Sequence, residues 1–392
     1  MPAPSGIDGK LSVSSRSKIM LTAFYNVKIW DGDEPCEHLA VLIEGSAIRA
    51  IVPIDEIPSD AHLRNCHHQL LVPGLIDLQV YGAGGVLFSD HLTPEALRTM
   101  ADALVAQGTT GFLLTLATNS LEVFRRALAI VKQHPHPALL GVHFEGPYLN
   151  PVKRGAHPLR YIRKPDANDL AALLEEGEGY IRMMTLAPEC CTPDIFRLLT
   201  QAGVLISAGH SNASFDEATH SFQHGVKVVT HLFNAMSSFH HRQTGLPGAT
   251  FLNQQVCSSI IPDGIHVDFP TLSIAKKILG RRLFLITDAV AETQNEPYLH
   301  VLNGDHYVLP DGTLSGSAIS LLQGVRNCIE KAGIEPAEAF RMASAYPASL
   351  LNNSSIGVLK PGAAANLLLI NETYQPTTVL LNGQSHCISS PF

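Results

Sequence analysis

Eight short apolar runs, separated by segments of helical pattern, constrain the fold of this 392-residue chain most strongly. Most of the runs are almost continuously apolar, as parallel strands that are buried on both faces should be. Alternating strands and helices predict an α/β fold, and eight such units favour a closed (β/α)₈ barrel of the TIM type over an open sheet. The eight predicted strands are residues 75–80, 110–116, 139–144, 181–186, 204–208, 227–230, 256–261 and 283–287.

The two ends of the chain have a different pattern. Short strand-like runs at 21–25, 26–30, 40–44 and 47–51 are matched near the other end by runs at 366–370 and 378–381. Pro-Gly breaks at 73–74 and 361–362 separate these regions from the centre. We therefore predict a small β-sandwich domain, made of residues 20–72 plus 360–392, beside a barrel of residues 73–359. The Ser-rich residues 1–19 lack the apolar stretch of a secretory signal and are predicted to form a disordered tail.

Composition excludes several classes of partner. The formal net charge is −8 with no block of like charges, which argues against nucleic acid and against a membrane surface. No apolar run is long enough for a transmembrane helix. The seven cysteines are scattered and never spaced as CxxC, a pattern that favours reduced thiols and a cytoplasmic protein.

Polar side chains follow several of the predicted strands. Glu145 follows the third strand, His210 the fifth, His231 the sixth and Asp288 the eighth. Active sites of such barrels lie at the carboxyl ends of the strands, so we expect these side chains to meet there. Two histidines and one carboxylate form a standard set for a divalent metal with open positions. Glu145, His210 and His231 are therefore predicted to hold one metal ion; Zn²⁺ suits them best, and Fe²⁺, Co²⁺ or Mn²⁺ could occupy the same site.

Asp288 follows an apolar run, where a carboxylate is costly unless it is paired or near a cation. We predict that it acts as a general base towards water and then gives the proton to the leaving amine. A helix N-cap is the weaker interpretation. His143 lies two residues before Glu145; we expect it to point to the opposite face of the strand and to have a supporting role.

These segments resemble the N-acetylglucosamine-6-phosphate deacetylase family of the amidohydrolase superfamily, from about residue 20 to the carboxyl end. Pro73-Gly74-Leu75-Ile76-Asp77 resembles the opening of the first strand in the superfamily. The more specific matches are His143-Phe144-Glu145-Gly146-Pro147, Ala208-Gly209-His210-Ser211-Asn212, Thr230-His231-Leu232-Phe233-Asn234-Ala235-Met236, Asp263-Gly264-Ile265-His266-Val267-Asp268, Thr287-Asp288-Ala289 and Gly312-Thr313-Leu314-Ser315-Gly316-Ser317.

The resemblance implies hydrolysis of the acetamide of N-acetyl-D-glucosamine 6-phosphate in amino-sugar catabolism. It implies that His157 lies near the amide carbonyl oxygen. It also implies that Arg242 binds phosphate in the site of a neighbouring subunit, and hence a homodimer. The remaining substrate-binding residues that it implies are Ala156, Asn234, Ala235, Asp263, His266, Leu314, Ser315 and Gly316.

One departure from the superfamily concerns the metal. Many members have His-x-His on the first strand, where both imidazoles hold a second ion, but this chain has Gln79-Val80-Tyr81. A neutral amide is a poor metal ligand and a phenol usually stays protonated. We therefore predict one metal ion rather than two, with Gln79 positioning the catalytic water.

Two other functions remain open. The first is another amidohydrolase reaction, on a related N-acetylated sugar phosphate or on a cyclic amide; the missing His-x-His and the lack of an obvious carbamylated lysine count against it. The second is a non-catalytic sugar-phosphate sensor, which the intact set of Glu145, His210, His231 and Asp288 disfavours.

Overall fold

The computed structural model describes residues 20–31 and 34–388, so the tail predicted at 1–19 lies outside the described residues. The chain opens with five strands. They are β1 (Leu21–Asp31), β2 (Glu34–Cys36), β3 (Leu39–Glu44), β4 (Ala47–Pro53) and β5 (His62–Pro73).

Strands and helices then alternate along the centre of the chain. In order they are β6 (Leu75–Val80), β7 (Gly82–Ala83), β8 (Val86–Leu87), α1 (Pro94–Ala106), β9 (Thr109–Ala117), α2 (Leu121–Gln133), β10 (Leu139–Glu145), α3 (Ala167–Glu176), β11 (Ile181–Leu186), α4 (Pro193–Gln201), β12 (Leu205–Ala208), α5 (Phe215–Gln223), β13 (Val226–Val229), α6 (Gly245–Leu252), β14 (Cys257–Ile260), α7 (Phe269–Leu279) and β15 (Leu283–Leu285). Several helices begin where a hydroxyl side chain caps the first turn, as Ser120 does for α2 and Ser214 for α5.

The last part of the chain adds a three-stranded meander, three helices and three more strands. These are β16 (Val301–Asn303), β17 (His306–Val308), β18 (Leu314–Ser317), α8 (Leu321–Glu330), α9 (Pro336–Met342), α10 (Ala345–Leu350), β19 (Leu367–Ile370), β20 (Pro376–Leu381) and β21 (Gln384–His386).

The central strands form a parallel sheet of eight, in which each strand pairs with the next one along the chain, from β6 through β9 to β15. The segment that follows β15 returns to β6 through a parallel bridge between Val80 and Ala289. There the Asp288 N–H donates to the Gln79 carbonyl over 3.0 Å. The sheet thus curls into a barrel, and the predicted (β/α)₈ fold is confirmed.

Both faces of the barrel strands are buried, as their apolar sequence predicts. On the outer face of β10, Phe144 stacks against Phe124 of α2 with ring centres 4.2 Å apart. On the inner face, Leu113 and Met183 belong to an apolar cluster inside the barrel. The helices therefore form an outer layer around a filled barrel, and polar groups gather at one mouth.

Asp77 ties the first barrel strand to the last. It is fully buried, and its carboxylate accepts the Thr287 hydroxyl over 2.6 Å and the backbone N–H groups of Gln79 and Thr287. Burial raises the pKa of Asp77 to about 7. The predicted strand 283–287 ends at Leu285, because the Thr287 N–H turns to this carboxylate rather than to a neighbouring strand.

The chain ends share a second sheet with the order β21-β20-β19-β5-β1-β3-β4, and β2 pairs with the last three residues of β1. The runs predicted at 21–25 and 26–30 form one continuous strand with an irregularity at Asn26. Strand β5 was not predicted, yet it joins β1 to β19 and so connects the two ends of the chain. The sheet confirms the fold class, while the domain limits at 72 and 360 stay a prediction.

Two further sequence features are accounted for in the described part of the chain. All seven cysteines lie there, and none is in a disulfide. Among the described helices, none combines the length and the apolar character that a membrane crossing requires.

Candidate active site

Four predicted site residues meet at the carboxyl end of the barrel. Glu145 is the last residue of β10, and His210, His231 and Asp288 follow β12, β13 and β15. The last three have φ angles of 48°, 35° and 55°, in the left-handed region, which costs a non-glycine residue about 1 kcal/mol. Such backbone strain is concentrated at functional sites. Here it turns the side chains from the strand ends into the mouth.

Glu145, His210 and His231 form a triangle of ligand atoms. The Glu145 Oε1 lies 3.2 Å from each histidine Nε2, and the two Nε2 atoms are 3.1 Å apart. The His210 Nδ1–H donates to the Lys153 carbonyl over 2.9 Å, which leaves its Nε2 as a lone pair. A histidine lone pair, a second imidazole nitrogen and a carboxylate oxygen that converge in this way fit a divalent cation.

His157 is a third imidazole against Glu145, and its Nε2 lies 3.0 Å from Oε2. Glu145, His157 and His210 also offer ligand atoms that lie within 4.8 Å of one another. However, the Thr118 N–H donates to the Nδ1 of His157, so the ring carries its proton on Nε2. His157 is therefore a hydrogen-bond donor at the mouth, and the geometry favours His231 as the second histidine ligand.

Gln79 links the two carboxylates. Its Nε2 donates to Asp288 Oδ1 over 2.7 Å and to Glu145 Oε1 over 3.0 Å. Burial raises the pKa of Asp288, although His231 opposes the shift. Burial also acts to raise the pKa of Glu145, but His210 and His157 outweigh it and hold that pKa well below its usual range. Glu145 thus stays ionised, whereas Asp288 takes up a proton more readily.

A cavity of about 240 Å³ opens above this cluster. Most of the residues predicted to bind substrate line it, from loops that follow different strands. They are Ala156, His157, Asn234, Ala235, His266, Leu314, Ser315 and Gly316. Gln79 lies beneath the cavity floor and is only 1% exposed, so it contacts Glu145 and Asp288 rather than the open space.

Two predicted binding residues do not line the cavity. Asp263 accepts the Nδ1–H of His266 over 2.6 Å and two backbone N–H groups, and so it orients His266 instead. Arg242 is exposed on the loop before α6 and does not contribute to the cavity of its own chain.

The orientation expected for His143 is wrong. Residues two apart share a face of a strand, and His143 lies on the inner face together with Glu145. Its Nδ1 contacts the Leu78 carbonyl and its Nε2 contacts the Thr185 hydroxyl, over 3.0 and 2.8 Å. Burial lowers the pKa of His143 to about 4, so this ring is a neutral bridge within the barrel.

Comparison with known proteins identifies the family of this chain. A family model described as the amidohydrolase family matches residues 70–385. The chain belongs to the amidohydrolase family. It is 34% identical to the N-acetylglucosamine-6-phosphate deacetylase of Haemophilus influenzae, over 93% of this chain and 99% of that protein. It is 32% identical to the N-acetylgalactosamine-6-phosphate deacetylase of a Shewanella species, over 80% of this chain and 82% of that protein.

Solved structures show the same likeness. The crystal structure of N-acetylglucosamine-6-phosphate deacetylase from Pasteurella multocida superposes with a TM-score of 0.90 at 30% identity, and the match covers 94% of this chain and all of that chain. The resemblance inferred from the motifs is confirmed.

The cavity of this amidohydrolase also has polar residues that were not among the predicted binding residues, namely Ser89, Tyr298, His300 and Thr313. The Tyr298 hydroxyl donates to the Thr118 carbonyl over 2.8 Å, and His300 contacts the Ser315 hydroxyl over 2.9 Å. Tyr298 and His300 follow the last barrel strand in a segment without a regular period. The one sequence feature that could have indicated a place in the site is that they lie close to the Gly312–Ser317 motif.

Proposed function

We propose that this amidohydrolase hydrolyses the acetamide of N-acetyl-D-glucosamine 6-phosphate to D-glucosamine 6-phosphate and acetate. The observation that carries the proposal is the triangle of Glu145, His210 and His231, with Asp288 and His157 beside it at the base of one cavity. The names of the relatives supply the substrate class.

Glu145, His210 and His231 would hold one divalent ion. A set of two histidines and one carboxylate suits Zn²⁺ best, although Fe²⁺, Co²⁺ and Mn²⁺ accept the same ligands. When bound, such an ion polarises a carbonyl group and lowers the pKa of water towards neutrality. Gln79 and Tyr81 stand where the superfamily pattern has two further histidines, and they leave no imidazole for a second ion.

The protein's own groups carry the proton and the developing charge. Asp288 accepts a proton from the attacking water and delivers it to the leaving nitrogen, for which a raised pKa is suited. Gln79 donates to Asp288 and fixes the direction of its free lone pairs. The Nε2–H of His157 faces the cavity beside Glu145, where it can donate to the amide oxygen as negative charge builds there.

The sugar phosphate would lie against the loops above the metal cluster. Ala156, Asn234, Ala235 and the 314–316 segment line that space. His266 is held by Asp263 and lines the cavity. With both ring nitrogens protonated, it would donate to a phosphate group there.

Arg242 would complete the phosphate site from a second copy of the chain. It is exposed on a loop that also carries Phe239, which is 54% exposed and packs edge-on against Phe251. Leu252, which follows Phe251 in the chain, is 71% exposed. A cationic side chain beside exposed apolar groups supports a homodimer in which each Arg242 reaches the neighbouring cavity. The seven free thiols support a cytoplasmic location for the enzyme.

The decisive experiment measures acetate release from N-acetyl-D-glucosamine 6-phosphate by purified protein, with N-acetyl-D-galactosamine 6-phosphate and a cyclic amide in parallel. We expect turnover of the glucosamine compound, its loss on chelation, its return with Zn²⁺, and about one metal equivalent per chain. The galactosamine compound is the second candidate, because relatives at 31–32% identity carry that name. Binding of the sugar phosphate by a metal-free protein without acetate release would instead indicate a sensor.

A further inference from the structure

Tyr81 makes a contact that the proposed reaction does not yet use. Its hydroxyl donates to the Oε2 of Glu145 over 2.5 Å, and the Gln79 amide lies 2.8 Å from the same hydroxyl. The triangle of ligand atoms involves the other oxygen, Oε1. The two oxygens of one carboxylate are therefore divided between the ligand triangle and a phenol.

We propose that Tyr81 is a positioning residue that keeps Glu145 a one-oxygen ligand and releases His157 to act on substrate. The proposal rests on the function proposed above. Without the phenol, Oε2 could turn towards the same ion as Oε1. Among residues 20–31 and 34–388, Oε2 would also be left with His157 as its one other close donor, at 3.0 Å.

The second part of the proposal follows from how Oε2 is shared. If His157 turns its Nε2–H to an amide oxygen, Oε2 loses one of its two donors. A buried carboxylate oxygen without a partner is costly, by about 1–3 kcal/mol or more. Because Tyr81 still donates to Oε2, the carboxylate remains satisfied and His157 can move to the substrate at low cost.

The ring of Tyr81 is well placed for this task. It is 7% exposed and packs in an apolar cluster with Leu87, Val290 and Tyr298. Its backbone N–H is fixed by the Ala289 carbonyl over 2.9 Å, at the point where the barrel closes. The hydroxyl is thus aimed by packing and by the barrel itself.

The test compares Tyr81→Phe with Tyr148→Phe. Tyr148 is also buried, but its hydroxyl has no hydrogen-bond partner within residues 20–31 and 34–388, so it controls for the loss of a buried phenol. Zn²⁺ affinity is measured by competition with a chromophoric chelator, without substrate. Because the carboxylate of Glu145 then loses the hydrogen bond that orients Oε1, we expect Tyr81→Phe to bind Zn²⁺ about tenfold more weakly, and Tyr148→Phe to stay within threefold of the parent. A loss of less than threefold in Tyr81→Phe overturns the first part of the proposal.

Kinetics test the second part. We expect Tyr81→Phe to lower kcat for acetate release at saturating Zn²⁺ more than it changes KM, and to cost less in a His157→Ala background, where no donor remains to be released. Equal losses of kcat in both backgrounds overturn this part.

If Tyr81→Phe does not fold, a crystal structure of the Zn²⁺-loaded parent decides, since a Glu145 bound through both oxygens contradicts the proposal. If the parent binds Zn²⁺ but releases no acetate, the proposed function fails while the affinity comparison still stands.

Discussion

Two clusters of buried polar side chains lie within the same barrel, and they have opposite characters. The mouth cluster consists of Glu145, His210, His231 and Asp288. The interior cluster consists of Asp77, His143, Thr185, Thr230 and Thr287. Both contain carboxylate and imidazole groups. In the interior cluster each polar group meets a partner, as in the chain of contacts from His143 to Thr185 and from Thr185 to Thr230, each 2.8 Å long.

In the mouth cluster the polar groups do not all have hydrogen-bond partners. The Nε2 atoms of His210 and His231 face each other, and the Nδ1 of His231 has no hydrogen-bond partner in the described part of the chain. A cavity opens above these groups. Residue type therefore does not distinguish a structural cluster from a reactive one. The distinguishing feature is that some polar atoms beside an open cavity have no hydrogen-bond partner. Substitutions in the two clusters should accordingly affect different measurements.

The largest effect is expected for Asp288→Asn. The amide cannot accept a proton, so kcat for acetate release should fall by about 10³-fold, while Zn²⁺ content and the melting temperature stay close to those of the parent. The measurement is a coupled acetate assay with metal analysis of the same sample. Retention of more than a tenth of the activity would show that another group moves the proton.

A smaller but opposite pair of effects is expected for two histidines. His210→Ala removes a proposed ligand and should weaken Zn²⁺ binding by at least about 100-fold, with little change in the melting temperature of the metal-free protein. His143→Gln should leave Zn²⁺ affinity within threefold but lower the melting temperature by a few degrees, because it disturbs two buried hydrogen bonds. Equal losses of Zn²⁺ affinity in both variants would contradict the distinction between the two clusters.

The last effect concerns pH. Burial raises the pKa of Asp77 from 3.8 to about 7, so the folded protein holds a proton that the unfolded chain releases. Its contribution to stability is full below pH 3.8 and is lost as pH rises through 7. Between pH 5 and pH 8 the free energy of unfolding of the parent should therefore fall by about 2–3 kcal/mol more than that of Asp77→Asn. Urea unfolding at both pH values measures this, and parallel changes would contradict it.

The mouth cluster was predictable because a closed parallel barrel brings the strand ends together, so position after an apolar run was enough. Asp77 was recognised as part of a motif. Its contact with Thr287 could not be predicted, because most of the barrel sequence separates the two residues and no local pattern indicates the pairing. Tyr298 and His300 lie in an irregular segment whose path depends on the completed barrel. The facing direction of His143 was recoverable from the two-residue period of a strand, which places it with Glu145.

The sheet built from both chain ends can be completed only late in the synthesis of the chain. Strand β5 has β1 on one side and β19 on the other, and about 290 residues separate the end of β5 from the start of β19. At roughly 5–20 residues per second, a ribosome needs about 15–60 s to cover that distance. Throughout that time one edge of β5 has open backbone groups that other strands can pair with. The nascent chain thus passes through an interval in which its earliest strands are made but cannot yet close their sheet.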